Sequence, residues 1–175
     1  ADGSDVVHIV PNSRNLPAEF SEQRYPLMVE RLALRENSGG PGKRRGGLGY
    51  DKRIRSLEDC LLLSNADRSD LSPYGVNGGK AGEPYGISVV RGDGEVEHLP
   101  GMVDNVPVAT NDQVLLWTSG GGGWGDPLDR EPDLVCYDVL CGLVSVDAAR
   151  ADYGVVIDTA TSPLSVGDMA TKRPR

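Results

Sequence analysis

The chain has 175 residues and a formal net charge of −8, a length that suits one domain burying roughly two thirds of its unfolded surface. That acidity excludes a general nucleic-acid role, because affinity there rests on basic surface. No apolar run approaches the ~18–20 residues of a membrane span, no signal peptide opens the chain, and three cysteines, an odd number, make no secreted disulfide framework, so a cytoplasmic protein is expected.

The 23 glycines are nearly twice average usage. They cluster at residues 39–49, 75–86, 92–101 and 120–125 with no collagen-like period, which predicts many tight turns between short strands. Residues 1–19 read as extended and turn-rich, with a short strand at residues 6–10. Residues 25–35 fit strand or helix by alternation, and Pro26 with the following Asn-Ser-Gly-Gly favours strand. Residues 48–57 alternate better, with Tyr50, Lys52, Ile54 and Ser56 on one face. The apolar run from Cys60 to Ser64 suits a buried strand. After a glycine-rich loop over 73–86, residues 86–91 and 95–99 form a hairpin closed by Gly92-Asp93-Gly94. A further strand over 112–117 feeds the loop at 120–125.

Helices are expected only near the end. Pro132 suits a first turn, and Cys136, Val139, Leu140 and Leu143 recur at helical spacing as its apolar face. Ser145 caps a second helix, Asp147 sits in its first turn and Gly154 ends it. The expected fold is α+β: a β-rich region of short antiparallel strands over 1–130, a helical appendage over 131–157, and a polar tail over 158–175 that is mobile or laid on a partner.

The run Thr-Ser-Gly-Gly-Gly-Gly-Trp-Gly-Asp-Pro at 118–127 contains G-x-G-x-x-G at Gly120, Gly122 and Gly125, directly after a strand. A dinucleotide fold needs the helix to open at that loop, but Asp126-Pro127 and Arg130-Glu131-Pro132 intervene, which excludes it. Two readings stay open: a backbone nest for phosphate or carboxylate, or a sharp turn between sheet and helix. Lys43-Arg44-Arg45, with Lys52, Arg53 and Arg55, is a basic cluster that fits a phosphate grip, an acidic partner surface or a solvated face. The two histidines, His8 and His98, are ninety residues apart, and no Cys or His cluster has metal-ligand spacing, so no metal site is expected. His8, near Asp5, fits an acid–base group, a ligand or an ordinary hydrogen-bonded histidine. Without G-x-S-x-G, nothing marks a serine nucleophile, and Cys136 reads as core.

Four blocks resemble the C-terminal third of the hydantoinase B family, which includes N-methylhydantoinase and 5-oxoprolinase B subunits and subunits of ATP-dependent ketone carboxylases such as acetophenone carboxylase. Asp2-Gly3, Val7-His8 and Asn12-Ser13-Arg14-Asn15-Leu16-Pro17 resemble "DG…VH…NTRNTP", and Tyr25-Pro26-Leu27 with Glu30-Arg31 resembles "YPLRVERY". Ser38-Gly39-Gly40-Pro41-Gly42-Lys43-Arg44-Arg45-Gly46-Gly47-Leu48-Gly49 resembles "SGGAGRYRGGLG". Residues 118–128 resemble "TPGGGGYGDPL", followed after the helix by Gly142-Leu143-Val144-Ser145 and Ala148-Ala149-Arg150-Ala151-Asp152-Tyr153-Gly154-Val155. The order and spacing of the blocks match over residues 1 to about 157. The family often has a second histidine after His8; here Ile9-Val10-Pro11 stands there, so that histidine's metal or proton-transfer role does not carry over. Ser119 replaces a usual proline and Trp124 a usual tyrosine. Glu131 replaces an aspartate often found before the helix, which makes a poorer cap.

The resemblance implies a subunit of a multisubunit ATP-dependent hydrolase of cyclic amides such as hydantoins, oxoproline or lactams, with a related ketone carboxylase or a purely structural interface subunit as alternatives. It implies a chain that is not catalytic alone, with ATP and Mg on a partner hydantoinase A-type subunit and no cofactor bound by this chain alone. The remaining N-terminal part of a B-type subunit is the other expected partner. The start Ala1-Asp2-Gly3, without an initiator methionine, reads as processing or as one piece of something longer. Within that site His8 is the expected catalytic group. Arg44, Arg45, Gly120, Gly121, Gly122, Gly123 and Asp126 are expected to bind substrate or phosphate.

Overall fold

The computed structural model describes residues 1–6 and 16–158, together with the backbone of Ser165–Val166. His8, most of the strand expected at 6–10 and nearly all of the polar tail lie outside the described residues. The architecture is α+β, as expected, and built on antiparallel pairing. Five strands form one sheet in the order β1 (Leu27–Leu34), β2 (Tyr50–Ser56), β7 (Gln113–Trp117), β4 (Gly86–Val90) and β5 (Val96–Leu99). A separate ribbon pairs β3 (Cys60–Asn65) with β6 (Met102–Val108), and β8 (Ile157–Asp158) pairs β9 (Ser165–Val166).

The alternation in β2 sets the faces of the sheet. Lys52 and Ile54 lie opposite Leu32 and Val29 on β1, and opposite Leu116 and Val114 on β7. Val114 and Leu116 in turn face Val89 and Ile87 on β4, which are 0% and 3% exposed. The β4–β5 hairpin turns where Gly92, Asp93 and Gly94 were expected to turn it, with Gly94 at φ 89°. Asp112 ties that turn down: it accepts from Gly92 and Ala109 backbone N–H at 3.0 Å and from Arg91 Nη1 at 2.9 Å.

The sequence reading passed over helix α1 (Ala18–Arg24) and strand β6, as well as the short β8–β9 pair and a 3₁₀ turn at Pro127–Asp129. Helix α1 has only seven residues and none buried, so it shows no apolar period. It holds the sheet edge through Glu22, whose Oε1 accepts from Val29 N–H at 2.8 Å. Strand β6 carries Pro107 and the Asp104-Asn105 irregularity, which disguise it; proline is tolerated because the ribbon has only two strands.

One turn of 3₁₀ helix (Pro127–Asp129), α2 (Pro132–Leu140) and α3 (Val146–Tyr153) follow the sheet. Ser145 caps α3 by accepting from Ala148 N–H at 3.2 Å, and Gly154 ends it at φ 67°. Glu131 makes no side-chain cap for α2. The apolar face of α2 differs from expectation: Val135, Cys136 and Asp138 are buried, whereas Leu140 is 48% exposed. Asp138 is drawn inward by buried arginines, which turns the buried face toward Val135 and Val139. These residues pack with Val144, Ala149, Tyr153, Val155 and Ile157 into the main apolar cluster.

Candidate functional site: a cleft in a glycine weave

Between sheet and helices the backbone is neither strand nor helix for most of residues 118–125. Its hydrogen bonds nevertheless form a dense lattice. Gly120 N–H donates to Glu83 carbonyl, Gly121 to Gly47 and Gly123 to Lys80, while Gly121 carbonyl accepts from Gly40 and Gly123 carbonyl from Val76. One segment therefore bonds neighbours around 40, 47, 76 and 80–83, whereas a β-strand bonds along only two edges. Such contact from several sides is possible only without side chains. A Cβ on Gly120 would lie 1.8 Å from Ser38 carbonyl oxygen, and one on Gly122 1.9 Å from that of Tyr74. The glycines are a packing requirement here, as at the crowded axis of collagen.

The N-terminal segment adds a further layer. Gly3 N–H donates to Arg45 carbonyl at 2.8 Å and Val6 N–H to Leu48 carbonyl at 2.9 Å. Asp5 accepts from Leu48 N–H at 2.7 Å and Asp2 from Arg45 N–H at 3.0 Å. Behind this layer lies an ionic cluster. Arg130, whose side chain is 1% exposed, binds both carboxylate oxygens of Asp2 and donates from Nη2 to Asp138 at 2.8 Å. Arg45, 5% exposed, lies 3.4 Å from Asp138 and 3.5 Å from Asp5. Burial pushes the Asp2 carboxyl up, but the Arg130 hydrogen bond and charge, with Arg45, hold it below its ordinary value. Arg45 Nε, Arg130 Nε and Tyr153 Oη are buried without a hydrogen-bond partner, and desolvation raises Tyr153 to about 12.

A cleft of about 1130 Å³ opens on this weave. Segment 1–4 with Val6, residues 44–50, residues 65–68 with Pro73 and Tyr85, residues 118–122, and Trp124 all line it. Of the residues expected to bind, Arg44, Arg45, Gly120, Gly121 and Gly122 meet here. They differ in what they can offer. Arg44 is exposed and has no side-chain partner among the described residues, whereas the Arg45 guanidinium is engaged by Asp138, Asp5 and Gly46 carbonyl. Gly121 is exposed, and Gly120 is buried. Gly123 and Asp126 are not part of the lining. Gly123 packs against Pro41, and Asp126 caps the 3₁₀ turn by accepting from Leu128 N–H at 2.9 Å.

Sequence reasoning missed Tyr50, Asn65, Arg68 and Tyr85, which come from strand ends and turns and share no motif. Tyr85 is held by a 3.0 Å contact between its hydroxyl and Ser64 Oγ, and desolvation raises its pKa despite that bond. Thr118 Oγ1 accepts from Tyr50 N–H at 2.8 Å and fixes that end of the cleft. Chemically, the described lining supplies the exposed guanidinium groups of Arg44 and Arg68, hydroxyls and the carboxylate of Asp67, and no histidine or thiol. The Gly120 and Gly121 N–H groups are already donated to Glu83 and Gly47 carbonyls. Among the described residues no cluster of His, Cys, Asp and Glu has metal-holding geometry. His98 Nδ1 does meet Ser88 Oγ at 2.8 Å, but Ser88 is fully buried and cannot reach a substrate.

Residues 1–127 match the hydantoinase B/oxoprolinase family. An uncharacterized protein of Methanocaldococcus jannaschii is 40% identical over 161 residues, 92% of this chain and 28% of the relative. The caprolactamase subunit beta of Pseudomonas jessenii is 37% identical over 80% of this chain and 25% of its own length. The crystal structure of the ATP-dependent caprolactamase from that organism superposes with a TM-score of 0.74 at 29% identity, over 88% of this chain and 27% of that one. Nucleotide-free acetone carboxylase shares the fold, with a TM-score of 0.81 at 22% identity over 91% of this chain and 26% of that one. The chain thus spans 28% and 25% of the length of these two relatives, and only 9% of the 5-oxoprolinase of Dictyostelium discoideum, to which it is 32% identical. No helix among the described residues is long and apolar enough to cross a membrane. The chain belongs to the hydantoinase B/oxoprolinase family.

Proposed function

We propose that this chain acts as the C-terminal portion of a hydantoinase B-type component in a cytoplasmic, multisubunit ATP-dependent hydrolase of cyclic amides. The observation that carries the reading is convergence: the segment at Asp2-Gly3, residues 44–49 of the glycine-basic loop, and residues 118–122 with Trp124 of the glycine run are far apart in sequence and meet at one cleft. In this role the exposed Arg44 guanidinium and the backbone at Gly120, Gly121 and Gly122 contact the substrate or a phosphate. Arg45, Gly123 and Asp126 hold the surrounding backbone. His8 is the candidate acid–base group, and ATP with Mg belongs to an A-type partner subunit.

A second reading, an ATP-dependent ketone carboxylase subunit, draws on the fold shared with acetone carboxylase. Purification of the native complex, with mass-spectrometric identification of its chains, tests the partners. Assays of ATP-dependent hydrolysis of hydantoin, 5-oxoproline and caprolactam, beside bicarbonate-dependent carboxylation of acetone and acetophenone, separate the two reactions. Recovery of this chain alone as a monomer overturns both. A third reading, a subunit that only shapes the interface, predicts that Arg44→Ala leaves turnover unchanged in an intact complex.

A further inference from the structure

The ribbon β3–β6 presents an unusual surface. Its inward positions Leu62, Val103, Val106 and Val108 are half-buried or buried, as one apolar face of an antiparallel pair should be. Its outward side carries three large apolar side chains, Leu61, Leu63 and Met102, which are 65%, 66% and 63% exposed, beside the exposed Asn65, Asp104, Asn105 and Pro107. Antiparallel ribbons with one face in water alternate apolar and polar, whereas a continuous apolar run such as Cys60-Leu61-Leu62-Leu63 belongs to strands covered on both faces. A two-stranded ribbon is at best marginally stable by itself. Among the described residues β3 and β6 pair only with each other.

Two facts bear on what covers the outward face. In the Methanocaldococcus jannaschii relative and the caprolactamase subunit beta this region is about a quarter of one longer chain, so the same ribbon belongs to a polypeptide with nearly three times as much additional protein. The outward patch is also small. Three large side chains fall far short of the roughly 20–30 residues a side of a free-standing interface, and so do not suit a second copy docking alone. A patch of this size suits a region whose local concentration is set by other contacts or by chain continuity. We infer that the outward face of β3–β6, centred on Leu61, Leu63 and Met102, is the docking surface for the portion of a B-type subunit that lies outside this chain's match to its relatives. The inference rests on the B-type partner proposed above and adds where it docks.

The test uses the complex as purified from cells. A photo-reactive amino acid at position 63 is activated, and the cross-linked peptides are sequenced, with the exposed polar position 147 in the first turn of α3 as control. The expected result is a cross-link from position 63, absent from position 147, into a B-type polypeptide region that is not part of this chain. Leu61→Asp with Leu63→Asp, checked for unchanged far-UV circular dichroism, is expected to lower recovery of that region at least tenfold. Cross-links from position 63 to an A-type chain, to a second copy or to nothing overturn the inference while B-type co-purification stands. Absence of any B-type region from the complex overturns the partner reading as well.

Discussion

Arg130 and Asp2 stand 128 positions apart and make a two-point ion pair, with Nη1 2.7 Å from Oδ1 and Nη2 2.9 Å from Oδ2. The pair joins the start of the chain to the turn before α2, with the glycine weave between them. Because Arg130 also holds Asp138, removing it leaves a buried carboxylate with only Arg45, at 3.4 Å. Arg130→Met is expected to cost about 3 kcal/mol in urea unfolding, and Asp2→Asn less, since the Asp2 side chain is 29% exposed. Equal stability of Arg130→Met and the parent would show that the cluster contributes nothing.

The same pair has a pH signature. Asp2 titrates below its ordinary value of 3.8 when folded, so below that value the unfolded chain binds the proton more readily. The stabilisation is complete at neutral pH and is lost as pH falls through the folded pKa. Acid unfolding of Asp2→Asn is therefore expected to be flatter than the parent's below about pH 4. Parallel curves would contradict the pairing.

Tyr153 predicts the opposite limb. Its hydroxyl is buried without a partner and its pKa is raised to about 12. The folded chain thus retains a proton that the unfolded chain loses near pH 10, and stability falls as pH rises from about 10 to 12. Tyr153→Phe removes an unsatisfied buried hydroxyl. The variant is expected to gain up to about 1 kcal/mol at pH 8 and to lose the alkaline slope. Urea midpoints at pH 8 and pH 11 measure both.

Gly120 and Gly121 are neighbours with opposite tolerances. A Cβ on Gly120 meets Ser38 carbonyl oxygen at 1.8 Å, whereas one on Gly121 meets nothing closer than 3.2 Å. Gly120→Ala is expected to abolish folding, and Gly121→Ala to cost about 1 kcal/mol while placing a methyl in the cleft. Thermal melts of both variants check this. Gly122 is no probe of ligand binding, because its Cβ would lie 1.9 Å from Tyr74 carbonyl oxygen and damage the fold first.

What was legible in the sequence was what local chemistry decides. Ser145, Gly154, Gly92-Asp93-Gly94 and the β2 alternation each act within a few residues, and each appears where expected. The glycine run was legible as a mark, but its bonding was not, since the partners of Gly120 and Gly123 lie some forty residues away at Glu83 and Lys80. Arg45 and Arg44 are adjacent and identical in type. Only the fold decides that one faces Asp138 while the other stays exposed. The misread face of α2 has the same origin, because Asp138 answers to Arg130 and Arg45 rather than to helical periodicity.

Arg44 gives the most direct test of the central claim that the glycine-lined cleft is a substrate site of an ATP-dependent complex. Steady-state kinetics of ATP-dependent cyclic-amide hydrolysis are measured for the purified complex carrying Arg44→Ala. Arg44 is exposed and has no side-chain partner among the described residues, so assembly and melting temperature are expected to match the parent. kcat/KM is expected to fall at least tenfold. Unchanged kcat/KM in a fully assembled complex would contradict the claim.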